Sequence, residues 1–161
     1  MASVDEIFAD EAFARLYDAF NPWGPGDDFY LTLARQSGGP ILDLGCGTGM
    51  LAARIAEEIS PVIGADPAPG MLQIARARPG AKRVEWIEAD AGTLDLGRRF
   101  KLIYLTGHAF QVFLTDDDAL AMLSAAASFF NFASCRRAHQ PNSAMSAASQ
   151  PAIATSSSAA A

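Results

Sequence analysis

The stretch best suited to chemistry is Asp43-Leu44-Gly45-Cys46-Gly47-Thr48-Gly49, where three glycines alternate with other residues directly after a short apolar run. Glycine has no Cβ, so a turn of this kind lets main chain come close to a ligand at the end of a strand. Two more carboxylates recur at comparable places. Asp66 follows Val62-Ile63-Gly64-Ala65, and Asp90 comes shortly after Val84-Glu85-Trp86-Ile87-Glu88. Ionised carboxylates accept charge-assisted hydrogen bonds, so acids at the ends of neighbouring strands suit a ligand that presents hydroxyl or amino groups. Taken singly, each aspartate is an ordinary strand-end turn residue. Their joint placement beside the glycines is what points to binding.

The elements needed to hold these residues can be read from periodicity. Ile41-Leu42-Asp43-Leu44, between Gly39-Pro40 and Gly45, is expected to be a strand buried on both faces of a parallel sheet. Leu51, Ile55 and Ile59, with Ala52 and Ala56, draw a helical stripe that ends before Pro61. A second strand over 62–65 is closed by Asp66-Pro67, and Met71, Leu72 and Ala75 mark a helix stopped by Pro79-Gly80. Residues 84–88 and Leu102-Ile103-Tyr104-Leu105 give a third and a fourth strand. Thr115-Asp116-Asp117-Asp118 is a capping box opening a helix, with Ala119, Leu120, Met122, Leu123, Ala126, Ala127 and Phe130 as a wide apolar face. Ahead of the first strand, Phe13, Leu16, Tyr17 and Phe20 predict an amphipathic helix over about 9–20, and Asp27 or Asp28 is expected to cap a second helix ended by Gly38-Gly39. Strands alternating with helices imply a Rossmann-like α/β fold, a three-layer sandwich around a mostly parallel sheet with four identifiable strands.

Composition narrows the function. The 161 residues are 50% hydrophobic and 19% charged, enough for one domain with a real core. A formal net charge of −6 without an evident basic face argues against nucleic acid as partner. Cys46 and Cys135 lie far apart and match no metal-ligand spacing, so neither a disulfide framework nor a metal site is expected. No apolar run approaches membrane-spanning length, and acids (Asp5, Glu6, Asp10, Glu11) stand where a signal peptide would be basic. A soluble, cytoplasmic protein is expected, with no membrane partner.

The glycine spacing separates two classes of cofactor. In the dinucleotide fingerprint the last glycine would fall on Met50, which disfavours a nicotinamide-dependent oxidoreductase. The order Asp43-Leu44-Gly45-Cys46-Gly47-Thr48-Gly49 instead resembles the first motif of class I (Rossmann-like) S-adenosylmethionine-dependent methyltransferases, and the resemblance runs from about Tyr17 to Leu123. It implies S-adenosyl-L-methionine as cofactor, held along the main chain of Gly45, Cys46, Gly47 and Gly49. Asp66 would accept the ribose hydroxyls, and Asp90 would hold the adenine amino group with the Ala91 amide at a ring nitrogen. Met71 would pack on the adenine, and Thr106 would lie near the methionyl end. For Asp43, orienting the loop and meeting the methionine amino group through water both stand open. Tyr17-Asp18-Ala19-Phe20-Asn21-Pro22-Trp23 is similar to the lid segment of small-molecule members, which makes Tyr17 and Trp23 candidate substrate contacts; with Phe20 and Tyr30 they can equally be core aromatics. His108 is the candidate general base and a substrate contact, or a plain polar strand-end residue. Cys46 has no basic neighbour in sequence and reads as a small filler, not a nucleophile. Lys101 stands where the family often has an acid.

The resemblance implies transfer of a methyl group to a small-molecule acceptor and a division into a helical lid over 1–38, a cofactor domain over 39–130 and an Ala/Ser-rich tail over 131–161 that is expected to be disordered. Strands beyond the fourth are expected to be missing. That leaves cofactor binding without turnover as the alternative function, and an exposed apolar fourth strand as a site for self-association.

Overall fold

The computed structural model of the chain describes residues 11–59, 61–107 and 109–131. His108, Cys135, the acids before Glu11 and the expected tail beyond Asn131 lie outside the described residues. Among the described residues two helices come first, α1 (Glu11–Phe20) and α2 (Pro25–Ser37). Strand β1 (Ile41–Leu44), helix α3 (Met50–Glu58), strand β2 (Val62–Asp66), helix α4 (Pro69–Ala77) and strand β3 (Val84–Glu88) then follow as two successive βαβ units. Strand β4 (Leu102–Leu105) and helix α5 (Asp116–Phe129) complete the order. Among the described residues four strands form one parallel sheet ordered β3-β2-β1-β4, so β1 and β2 are interior and β3 and β4 lie at its edges.

Strand alternation distributes the core. Ile41 joins Leu31 and Ala34 of α2 and Leu51, Ile55 and Ala56 of α3 on one face. Leu42 and Leu44 join Leu94, Phe100, Met122 and Phe129 on the other. The two faces make the layers of a three-layer sandwich, and every residue of β1 and β2 is buried, as continuous apolar strands of a parallel sheet require.

Local departures from expectation have simple causes. Helix α2 starts earlier than an Asp27 or Asp28 cap would place it, because Gly24 is the N-cap and Pro25, with its fixed φ and no amide to satisfy, opens the first turn. Asp27 instead reaches back to accept the Gly24 amide at 2.8 Å. In α1, Phe13 and Tyr17 pack with Ala14 on Ala68 and Met71, while Leu16 and Phe20 stay exposed. Thr115 caps α5 as read, accepting the Asp118 amide. The broad apolar face expected of α5 is fully buried only at Met122 and Phe129; Ala125 and Ala126 are partly covered by the same cluster, and Leu120 and Leu123 are left exposed.

Lys101 has a structural explanation: its aliphatic stem lies where a Cβ on Gly39 would stand, and its ammonium approaches the Gly38 carbonyl. Past α5 the chain begins to pair with the start of the edge strand. Phe100 donates to the Phe129 carbonyl at 2.8 Å, Asn131 donates to the Phe100 carbonyl at 2.9 Å, and Phe100 and Phe130 form a parallel bridge.

Candidate functional site

The glycine turn sits between the two most buried strands and is braced from below. Gly45 and Cys46 both donate to the Ala65 carbonyl, at 2.8 and 3.1 Å, and Gly49 donates to Cys46 at 2.9 Å. Gly45, Gly47 and Gly49 all have positive φ, where a side chain would be strained. They are needed for different reasons. A Cβ on Gly49 would stand 2.4 Å from the Trp86 ring and 2.8 Å from Ala75, and one on Gly45 2.6 Å from Ala109. Gly47 faces open space, with nothing within 4 Å of an added Cβ. Two glycines thus serve packing, and the middle one offers bare main chain to whatever lies above it.

Asp66, the last residue of β2, is buried and clamps the turn. One carboxylate oxygen accepts the Gly47 amide at 2.8 Å and the other accepts Ala68, also at 2.8 Å. Burial raises its pKa, and these two amides oppose the rise. Each oxygen keeps further acceptor capacity, so a pair of adjacent hydroxyls fits the same carboxylate. Tyr17 of α1 stands nearby: its pKa is raised by burial and by the charges of Asp66 and Asp18, and its hydroxyl lies 3.7 Å from where a Cβ on Gly107 would be. Met71 is buried in the same cluster as Ala14 and Ala68, under α1.

Asp43 lies beneath the turn in a fully buried position on β1, level with Gly64 and Tyr104 of the flanking strands. The Tyr104 hydroxyl donates to its Oδ2 at 3.0 Å, and its Oδ1 has no hydrogen-bond partner among the described residues. Burial pushes its pKa up to about 7 against the pull of the Tyr104 bond, with a further rise from the Asp66 charge. Burial and the charges of Asp43 and Asp66 also push the Cys46 thiol up, which suits a filler and not a nucleophile.

The remaining predicted residues are more dispersed. Asp90 and Ala91 stand half-buried just past the end of β3, and Asp90 accepts the Gly92 amide at 2.8 Å, closing its own turn. Thr106 follows β4, half-buried, with its carbonyl accepting Ala109. Trp23 donates from its indole to Asp28 at 2.8 Å and lines a separate groove of about 230 Å³ with Met50, Arg54 and Arg78. Tyr30 is a core aromatic, its ring 5.6 Å from that of Tyr104. Among the described residues no group of His, Cys, Asp or Glu is placed to hold a metal. Three residues given no role from sequence belong to the site's frame: Tyr104, which partners Asp43, and Asp18 and Arg78, which reach Thr48. Only long-range pairing brings these residues together, so no local pattern announces them.

A Gly-x-Gly-x-Gly turn between the first strand and its helix, with an acid at the tip of the adjoining strand, defines a Rossmann-like fold with a ligand site at the carboxyl ends of its strands. The profile of a methyltransferase domain family matches residues 41–131, more than half of the chain, and the chain belongs to that family. It is 43% identical over 63 residues to a demethylmenaquinone methyltransferase of Clavibacter sepedonicus, covering 38% of this chain and 26% of that protein. It is 38% identical over 66 residues to a ubiquinone biosynthesis O-methyltransferase of Azorhizobium caulinodans, covering 39% of this chain and 26% of the relative. Among solved structures, the SAM-bound amino pentose methyltransferase CalS10 of Micromonospora echinaspora superimposes with a TM-score of 0.65 at 24% identity, over 72% of this chain and 52% of that one. The chain thus matches a third or less of the curated relatives' length and about half of the solved chains'. At such identities the structural likeness establishes the fold.

Proposed function

We propose that this chain binds S-adenosylmethionine across the β1–α3 turn and forms the cofactor-holding part of a class I methyltransferase acting on a small molecule. The observation that carries the reading is the Asp66 carboxylate: it is locked to Gly47 and Ala68 at the tip of β2, beside the one turn glycine that faces open space. When bound, the cofactor supplies a methyl group already activated on sulfonium, so the protein's work is to orient the partners and exclude water. Asp66 holds the ribose, Gly47 lets the ligand lie against main chain, and Asp90 with Ala91 addresses the adenine. Tyr17 closes over the mouth from α1.

The relatives' names mention quinone and amino-sugar chemistry, which supports a small-molecule acceptor. A hydroxyl or amine acceptor needs a base, and His108, next to Thr106-Gly107, is the candidate; a carboxylate or thiolate needs none. We read residues 1–38 as lid, 39–130 as cofactor domain and 131–161 as tail, in a cytoplasmic protein. No helix among the described residues is long and apolar enough to cross a membrane. The edge of β4, beyond the Phe100–Phe130 bridge that precedes it, suits self-association.

Calorimetric titration of the full chain with S-adenosylmethionine and with NAD tests the cofactor. Uptake of the sulfonium compound alone is the expected result, and absence of uptake at millimolar concentration by folded protein would overturn the reading. Release of S-adenosylhomocysteine with quinol, sugar-amine or carboxylate acceptors then tests transfer.

A further inference from the structure

Three side chains from distant parts of the sequence meet on the glycine turn: Asp18 of α1, Thr48 of the turn, and Arg78 at the C-terminal cap of α4. The Thr48 hydroxyl donates to Asp18 Oδ1 at 2.6 Å. Arg78 donates from Nε to the Thr48 carbonyl at 2.5 Å and from Nη2 to the Thr48 hydroxyl at 3.1 Å, and the same Nη2 pairs with Asp18 Oδ2. The result is a closed ring of bonds joining a helix, a turn and a helix cap.

This ring differs from the chain's other ion pairs. In the Arg35–Glu58, Arg54–Glu57 and Arg98–Glu85 pairs the arginine is about half exposed, at 51%, 49% and 55%, and such pairs contribute little. Here Arg78 is 20% and Asp18 32% exposed, and Thr48 is buried. Thr48 is flanked by Gly47, the glycine open to a ligand, and Gly49, the one wedged against Trp86.

The position of α1 gives the ring its meaning. On one side α1 rests by Phe13, Ala14 and Tyr17 on Ala68, Met71 and Ile74, an apolar contact with the start of α4. On another, Tyr17 lies within reach of the Asp66 charge and of Gly107 beyond β4, so the helix crosses the carboxyl ends of the strands where the cofactor would lie. The apolar contact resembles a hinge. The polar ring is the part that water can replace when the helix lifts, because its charges are not fully enclosed.

We propose that Asp18 and Arg78 are positioning residues that latch α1 over the mouth of the cofactor cleft through Thr48, so that cofactor enters and leaves as this ring opens. The exchange of cofactor rests on the function proposed above; the attachment of α1 does not. The test therefore has two arms on the full chain. Without ligand, Asp18→Asn and Asp18→Ala are expected to speed hydrogen–deuterium exchange of the α1 amides about tenfold, the effect of losing one charge-assisted bond, while β1 and β2 keep their protection. Thr48→Val, which keeps the side-chain shape and the carbonyl bond to Arg78, should loosen α1 to a lesser degree.

In stopped-flow with S-adenosylhomocysteine, both association and dissociation should quicken several-fold in Asp18→Asn, with Kd moving less than either rate. Purely structural damage would raise dissociation without raising association. Unchanged α1 exchange in Asp18→Ala overturns the latch whether or not the chain binds cofactor, and an association rate that stays level or falls while α1 loosens overturns the gate. Absence of uptake by the unmutated chain overturns the cofactor reading and with it the gating, while the exchange arm still decides whether Asp18 holds α1.

Discussion

The two halves of the sheet are built to different standards. Around β1 and β2 every strand residue is buried, five of the nine residues of α3 are buried, and the turn amides of Gly45, Cys46, Gly47 and Gly49 all have acceptors. Around β4 only Tyr104 of the four strand residues is buried, and only Met122 and Phe129 of the fourteen in α5. The first region is over-determined, with side chains, glycines and carboxylates constraining one another. The second rests on a few large contacts, notably the edge-to-face pair of Phe100 and Phe129. Tight construction falls on the half that carries the glycine turn and Asp66, which is what positioning a ligand within fractions of an ångström demands.

The contrast can be broken most sharply at Asp66. Asp66→Ala removes the acceptor of the Gly47 and Ala68 amides as well as the proposed ribose contact, and should cost about 2–5 kcal/mol of stability and at least about a hundredfold in S-adenosylmethionine affinity. Urea unfolding and calorimetry measure the two effects, and a stable variant with unchanged affinity would show that the turn is not held as described. Gly49→Ala comes next. Its methyl group would press into the Trp86 ring from a left-handed backbone position, for about 2–4 kcal/mol of destabilisation by thermal melt. Trp86→Leu in the same chain should recover part of that loss, because it clears the space.

Asp43 sharpens the comparison through pH. Its pKa is raised from about 3.8 to about 7, so between those values the folded state holds a proton that the unfolded state has lost, and stability falls as pH rises through this window. Below pH 4 both states are protonated and the effect vanishes. Above 7 the full cost is present, a few kcal/mol in order of magnitude. Asp43→Asn keeps an acceptor for Tyr104 and should abolish this part of the pH dependence, gaining on the original chain from pH 5 to 8 in denaturant titrations. Equal slopes for the two proteins would contradict a proton on Asp43.

The smallest effect is expected on the other half. Leu123→Ser, at a half-exposed position on α5, should change stability by no more than about 0.5 kcal/mol. Sedimentation at increasing concentration would show whether it weakens self-association. A loss of several kcal/mol would mean that α5 is covered after all.

Much of this was legible without coordinates. Strong local signals set the strands: β3 spans the partly alternating run 84–88 and β4 the apolar run 102–105, and Gly38, Pro61 and Pro79-Gly80 punctuate the helices through backbone preferences that do not depend on the surroundings. The glycine turn and Asp66 were visible because their chemistry depends on nearest neighbours in sequence. The cover of α5 was not, because a wide apolar face states only that burial is favourable; whether Leu120 and Leu123 find a partner depends on what else packs there.

Sequence alone determined the alternation of strands and helices, the glycine turn and the acids at the strand tips, since each is encoded by period, backbone freedom or charge over a few residues. Tertiary structure alone decided that Asp66 clamps the turn, that Tyr104 partners Asp43, and that Asp18, Thr48 and Arg78 meet across separations of 30 and 60 residues. These bonds form between groups that the folded sheet brings together, and their strength comes from being partly removed from water, a property that no single stretch of chain possesses.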